Sequence, residues 1–191
     1  MTFLERANVP PRKYEEYAYV LDFNARGKSS TVRGREGIIV TAIGEDRLTL
    51  LEILGIPNSA FEVGERIYIG KDGRTKVLSV LGKLQYEKIS SSAQSELPGV
   101  VEDIVTENEE RFVNYLNNAQ PLTPRIHALE LIPGIGKTYM KTMLEEREKK
   151  KFTSFDDIQE RVGLKEPIKH ISQRILEEVT GETRMNLFVK K

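Results

Sequence analysis

The chain has no cysteine and no tryptophan among its 191 residues. Without cysteine there are no disulfides, no thiolate nucleophiles and no zinc sites built on thiolates. Long apolar runs are missing too. A stretch such as Gly37-Ile38-Ile39-Val40 falls far short of the roughly 20 residues that cross a bilayer. The opening residues, MTFLERANVPPRK, lack the apolar segment of a secretory signal, so a cytoplasmic protein with no membrane partner is expected. Histidine occurs only at His127 and His170, neither with an acidic or histidine partner at ligand spacing. Both read as ordinary helix residues, and no metal or other cofactor is expected.

Net charge is also absent: 29 basic residues balance 29 acidic ones. This argues at first against a nucleic-acid partner, but the charges are unevenly spread. Residues 1–92 carry 14 basic and 12 acidic side chains, residues 93–123 carry 1 and 6, and residues 124–191 carry 14 and 11. One acidic segment masks two mildly basic ones. A polyanion would therefore meet local patches and not a global field.

What is present is a soluble globular composition, 39% hydrophobic and 30% charged. Residues 14–90 read as about five strands joined by short turns. In YEEYAYVLDF, alternation puts Tyr17, Tyr19, Leu21 and Phe23 on one face. EGIIVTAIG, RLTLLEIL, ERIYIG and KVLSVLGKLQYEKI follow, the first two linked by Gly44-Glu45-Asp46. A small closed barrel suits such a segment because closure removes exposed edges. An OB-like barrel is expected first and an SH3-like barrel second. Ser-rich residues 90–95 read as a hinge. Val101, Ile104, Val105, Phe112, Val113 and Leu116 then recur at helical spacing, up to Asn117-Asn118. The acidic face of this connecting helix reads as solvated surface. Beyond Pro121 and Pro124 come several short helices. Met140, Met143 and Leu144 mark one apolar stripe, and Ile168, Ile171, Ile175, Leu176 and Val179 another, opened by Pro167. Ser154, three residues before Asp157, marks a cap. The tail TRMNLFVKK reads as a last strand or a loose end. The organisation expected is α+β: a barrel over 1–92, an acidic connecting helix over 93–123 and a helical domain over 124–191.

LIPGIGKTYM, residues 131–140, is the most informative stretch. Its Gly136-Lys137-Thr138 ends like a P-loop. A P-loop, however, needs glycine five residues before Gly136, where Leu131 stands, and a strand before the loop, where a helix is expected. A hairpin between two helices fits better. Pro133 stops the first helix, Gly134 and Gly136 supply unusual backbone geometry and close approach, and Ile135 points inward. The second helix then begins at Lys137 or Thr138 with free N–H groups facing outward, a ready position for a phosphate. Lys137 and Lys141 add charge there.

ALELIPGIGKTYMKTMLEER resembles the helix-hairpin-helix motif of nucleic-acid-binding proteins, matched at Ile132, Pro133, Gly134, Ile135, Gly136, Met143 and Arg147. Met140 departs, since the family usually has alanine there. KKFTSFDDIQERVGLK is similar to the linker of tandem hairpin domains, with Val162-Gly163-Leu164-Lys165 as a degenerate, structural second hairpin. The resemblance implies that backbone N–H groups around Gly134, Gly136, Lys137 and Thr138 grip a sugar-phosphate chain without reading bases. A barrel followed by such a domain also resembles an archaeal family of uncharacterised proteins predicted to bind RNA. This resemblance favours RNA over DNA.

NARGKSSTVRGREG, residues 24–37, joins the first two strands and places Arg26, Lys28, Arg33 and Arg35 against Glu36. It reads equally as a phosphate-binding loop, as between the first strands of OB barrels, or as a solvated loop. Tyr17, Tyr19 and Tyr68 are open between base stacking and core, whereas Phe23 reads as core. Asp156 and Asp157 lie near the distance of a glycosylase aspartate but are explained as cap residues, and no carboxylate cluster suggests two-metal chemistry. A non-catalytic nucleic-acid-binding protein is therefore expected. A protein–protein adaptor is the alternative, and a nuclease or glycosylase comes third.

Overall fold

The computed structural model describes residues 14–24 and 30–191. Among them are six strands, β1 (Tyr17–Phe23), β2 (Ser30–Val32), β3 (Arg35–Gly44), β4 (Leu50–Gly55), β5 (Arg66–Tyr68) and β6 (Val77–Lys83). Five α-helices follow: α1 (Ser91–Glu107), α2 (Glu109–Asn118), α3 (Lys137–Lys149), α4 (Phe155–Val162) and α5 (Pro167–Thr180). Single 3₁₀ turns lie at Tyr86–Lys88 and Ala128–Leu131. The fold is α+β, with an antiparallel sheet.

The sheet runs β5-β1-β3-β4-β6, and β2 extends β3 as a ribbon. It is not closed into a barrel, contrary to the expectation of full closure, because β5 and β6 are edges that do not pair. β5 is a three-residue edge strand that pairs with β1. Arg74 spans the gap instead. Its guanidinium donates to the carbonyls of Gly70 at 2.7 Å and Ile69 at 3.0 Å, just beyond β5, and to Leu78 of β6 at 3.0 Å. The planar five-donor group satisfies carbonyls that a strand pair would otherwise have used. Lys76 pairs with Glu65 beside the same seam.

The alternation predicted for β1 breaks at a bulge. Val20 faces Ala42 and Asp22 faces Thr41, so Leu21 is the extra residue. A side chain changes face when one residue is inserted. Tyr19 and Leu21 thus pack toward the helices, while Phe23 packs against Phe61 on the opposite face.

Ser90 is a cap and not a hinge. Its hydroxyl accepts from the Ala93 N–H at 3.0 Å and donates to Asp22 of β1 at 2.6 Å, fastening α1 to the sheet. The single connecting helix expected here is two. At Asn108 the side-chain amide donates to the Ile104 carbonyl at 2.8 Å, and local competition of this kind ends a helix. The predicted stripe holds across both pieces, with Val101, Ile104, Val105, Phe112, Val113 and Leu116 all buried.

One apolar core runs from the sheet (Tyr19, Leu21, Ile43, Leu50) through α1 and α2 to Ile132, Ile135, Met143, Ile158, Ile171 and Ile175. It ends on the tail residues Phe188 and Val189, so the tail is an anchored extension and neither a strand nor a loose end. A second cluster, including Val20, Val40, Ile53, Phe61 and Ile67, fills the other side of the sheet.

Two polar clusters brace these parts. At the β3–β4 turn, Arg111 of α2 donates to the carbonyls of Glu45 and Asp46 at 2.7 and 2.6 Å. Arg66 forks onto the Glu45 carboxylate at 2.6 and 3.0 Å. Burial raises the Glu45 pKa, but the bonds and charge of Arg66 outweigh it and hold that carboxyl below its usual range. In the helical half, Arg174 and Glu178 of α5 form a buried pair at 2.9 Å. Glu178 accepts from the backbone N–H groups of Leu187, Phe188 and Val189, each at 2.9 Å. Arg174 donates to the carbonyls of Met185 at 2.6 Å and Leu131 at 3.2 Å. Glu178→Ala strands the Arg174 charge and three N–H groups. It is expected to cost about 3–5 kcal/mol of unfolding free energy in urea titration, against a change below about 0.5 kcal/mol for an exposed control such as Glu182→Ala.

Candidate functional site

The hairpin expected at 131–140 is assembled by local bonds. His127 precedes the 3₁₀ turn and accepts the Leu129 N–H on Nδ1 at 3.0 Å, while Glu130 reaches back to the His127 N–H at 2.9 Å. The element before the turn is therefore four residues of 3₁₀ helix and not a full α-helix. The element immediately before the glycines is this 3₁₀ turn and not a strand, which agrees with the rejection of a P-loop. The Ile135 N–H donates to the Ile132 carbonyl at 3.0 Å, closing the turn, and the Ile135 side chain is buried in the core as expected.

The two glycines do different work. Gly134 has φ +84°, a left-handed conformation that favours glycine. A Cβ there would also lie 2.2 Å from Nδ1 of His170, which reaches over from α5. The His170 Nε2 is 3.0 Å from the Lys165 carbonyl, an arrangement in which that nitrogen donates. Gly136 has φ −79° and ψ −177°, which any residue adopts, and a Cβ would meet nothing within 4 Å. The expectation that Gly136 needs special backbone geometry is thus corrected. Gly136 borders open space and holds no conformation forbidden to other residues.

α3 begins at Lys137 with Gly136 as its N-cap, no side-chain cap and no acidic residue in its first turn. The first N–H groups of the helix are left to solvent or a ligand. Gly134, Gly136, Lys137, Thr138, Tyr139 and Lys141 are all exposed around them. At the other end of α3, Arg147 donates to the Leu116 carbonyl at 3.0 Å and is a bracing residue.

The second basic feature is only partly described. Arg26 and Lys28 lie outside the described residues. Arg33 (φ 52°) and Gly34 (φ 75°) form the two-residue turn between β2 and β3, with Arg33 and Arg35 exposed at its tip. Both positive φ values suit the twist of a two-residue hairpin. The ribbon and the glycine turn are carried by different halves of the fold.

The tyrosines left open as stacking surfaces are engaged. Tyr19 is buried and donates to Glu107 at 2.6 Å. The Tyr17 ring has the Arg66 guanidinium 3.5 Å above it and the Tyr68 ring against its edge at 5.3 Å. Asp157 accepts from the Thr153 N–H and from Arg161, each at 3.0 Å. Burial raises its pKa, but those bonds outweigh it and hold the carboxyl low. The Ser154 hydroxyl accepts the Asp157 N–H at 2.9 Å, as the cap reading required. Val162-Gly163-Leu164-Lys165 ends α4 at the left-handed Gly163 and buries Leu164. The packing of His170 on Gly134 has no signal in the sequence, since 36 positions separate them and no repeat links them.

Residues 14–190 match the model of the family described as protein of unknown function DUF655. The chain belongs to this family. It is 42% identical over 182 residues to an uncharacterised protein of Methanocaldococcus jannaschii, covering 94% of this chain and 82% of that protein. It is also similar to the crystal structure of a DUF655 protein from Archaeoglobus fulgidus, with a TM-score of 0.79 and 38% identity, over 92% of this chain and all of that one. These relatives are archaeal. Among the described residues of this DUF655 protein, no helix is long and apolar enough to cross a membrane.

Two outcomes follow from the turn. Gly134→Ala is expected to lower stability by about 1–3 kcal/mol in urea titration, through the left-handed backbone and the displaced His170. Gly136→Ala is expected to change it by less than about 1 kcal/mol. The His127 cap works only with a neutral Nδ1. Burial pushes the His127 pKa down and Arg147 adds to this, while Glu130 opposes it. A histidine with a lowered folded pKa stabilises fully above its unfolded value of about 6.5, and that contribution is lost as the pH falls below it. Stability is therefore expected to decline between about pH 7 and pH 5 more steeply in the natural chain than in His127→Asn, whose side chain caps without titrating.

Proposed function

We propose that this DUF655 protein is a non-catalytic nucleic-acid-binding protein that holds a phosphate backbone at the turn Gly134–Thr138. One observation carries the reading: α3 opens without a side-chain cap or an acidic residue, next to an unobstructed Gly136 and the exposed Lys137 and Lys141. Backbone N–H groups at such a terminus fit an anion, and the positive end of the helix dipole favours it. The turn is read as a helix-hairpin-helix whose first helix is reduced to a 3₁₀ turn. The sheet is read as an OB-like barrel left open at one seam and laced by Arg74. In that reading the β2–β3 ribbon, with Arg33 and Arg35, supplies a second set of phosphate contacts. RNA is preferred over DNA on the family resemblance alone.

A protein adaptor is the second reading. It is favoured by the neutral net charge and by Leu122 and Ile126, which stand exposed on the loop before the hairpin. Anisotropy of labelled RNA and DNA, single-stranded and duplex, at two salt concentrations separates the two. Binding that weakens steeply with salt is expected, with affinity about 5- to 10-fold lower in Gly136→Val and Lys137→Ala and melting curves retained. Absence of binding to every nucleic acid at low salt would move the reading to the adaptor.

A further inference from the structure

A cleft of about 630 Å³ lies where the sheet meets the helical half. One wall is the chain entering β4 and leaving β6, and the other is the end of α5 with the tail. A volume of this size suits a small molecule, and such sites favour the junction of two structural units. The two walls are fastened to each other. Glu178 holds the tail through three backbone N–H groups, and the Lys190 N–H donates to the Arg47 carbonyl at 2.9 Å.

Three kinds of group converge on this cleft. Leu48, Leu84, Val179 and Val189 give it apolar surface. Lys83 and Lys191 border it, both exposed, and neither side chain has an ion pair or hydrogen bond among the described residues. Of the two carboxylates in the lining, Glu178 is committed to Arg174 and the tail, which leaves Glu87 against two ammonium groups. Thr49 lines the cleft as well and is only 9% accessible. Its hydroxyl makes no hydrogen bond with a described residue, yet it is not sealed from solvent as the Ser172 hydroxyl is. A largely buried hydroxyl normally has a partner, so one without a partner at the wall of a cleft is available to a ligand.

We infer that this cleft is a binding site for a small organic anion with an apolar body. The body lies against the apolar wall, the anionic group is held by Lys83 and Lys191, and the Thr49 hydroxyl donates to it. Charge complementarity sets the class: two uncommitted ammonium groups outweigh one carboxylate, and an apolar cation or an uncharged body leaves them unused. The site shares no residue with the glycine turn, and its occupation does not depend on the phosphate grip proposed there. Because Val189 and Lys191 belong to the tail, a bound anion also ties the tail more firmly to the sheet.

The test uses the full chain and two fluorescent probes, anilinonaphthalene sulfonate and phenylnaphthylamine, which share their rings and differ in the sulfonate. Affinities are compared for the natural chain, Lys83→Gln, Lys191→Gln and Thr49→Val, with melting curves as a check of folding. The sulfonate is expected to bind one site per chain and to weaken roughly 5- to 10-fold in each variant. The uncharged probe is expected to bind about tenfold more weakly and to ignore the lysine changes. Lys83→Arg, which keeps the charge, should retain sulfonate binding. Amide NMR shifts on addition of the sulfonate should centre on Leu48–Leu50, Lys83–Glu87 and the tail. Equal affinity for the two probes, sulfonate binding unchanged in both lysine variants, or shifts centred elsewhere would overturn the inference. Loss in the lysine variants with none in Thr49→Val would overturn the role of the hydroxyl and leave the anion site standing.

Discussion

The buried Arg174–Glu178 pair is the interaction on which the helical half depends. Both side chains belong to α5, one turn apart, and almost no water reaches them. Burying two charges is costly, and their mutual attraction offsets this only when the remaining donors and acceptors are also used. Here they are. Glu178 receives three consecutive backbone N–H groups from the tail, and Arg174 reaches the carbonyls of Met185 and Leu131. The same pair therefore holds the C-terminal residues in place and steadies the segment that enters the glycine turn. The tail continues the connection. The Lys190 N–H donates to the Arg47 carbonyl at 2.9 Å, and the Arg47 side chain reaches the Lys191 carbonyl at 3.1 Å. α5 and the β3–β4 turn are thus joined through five residues with no regular structure.

Guanidinium groups perform a similar task elsewhere. Arg74 occupies the seam between the sheet edges, Arg111 holds the β3–β4 turn against α2, and Arg161 reaches the carbonyls of Glu146 and Lys150 where α3 gives way to α4. Each binds carbonyls at a turn, a sheet edge or a helix end, a task that suits a planar group with five donors. A balanced net charge is understandable in these terms. Many of the cations counted in the composition serve as internal braces. The exposed basic groups include Lys137 and Lys141 at the glycine turn and Arg33 and Arg35 on the β2–β3 ribbon.

Much of the fold was legible in the sequence because it depends on short-range regularities. The apolar spacing from Val101 to Leu116, the Ser154 cap, Pro167 at the start of α5, and the inward Ile135 between two glycines all follow from helix period and backbone chemistry. Three departures share one cause, a side chain bonding to backbone across or along the chain: Asn108 divides the connecting helix, Ser90 turns an expected hinge into a cap, and Arg74 bridges an unpaired seam. The bulge at Leu21 has another cause, a register shift that only the partner strand β3 defines.

The sequence by itself determined the α+β class, the core stripes of the helices and a glycine turn followed by an uncapped helix. Those features are set by residues within a few positions of one another, and local sterics and hydrogen bonding suffice to specify them. Only the tertiary structure decided that the sheet stays open, that the tail is anchored, that the β1 tyrosines are engaged, and that Gly134 lies under His170 while Gly136 faces open space. Each of these depends on which distant groups reach the same point in space, and no periodicity along the chain records that.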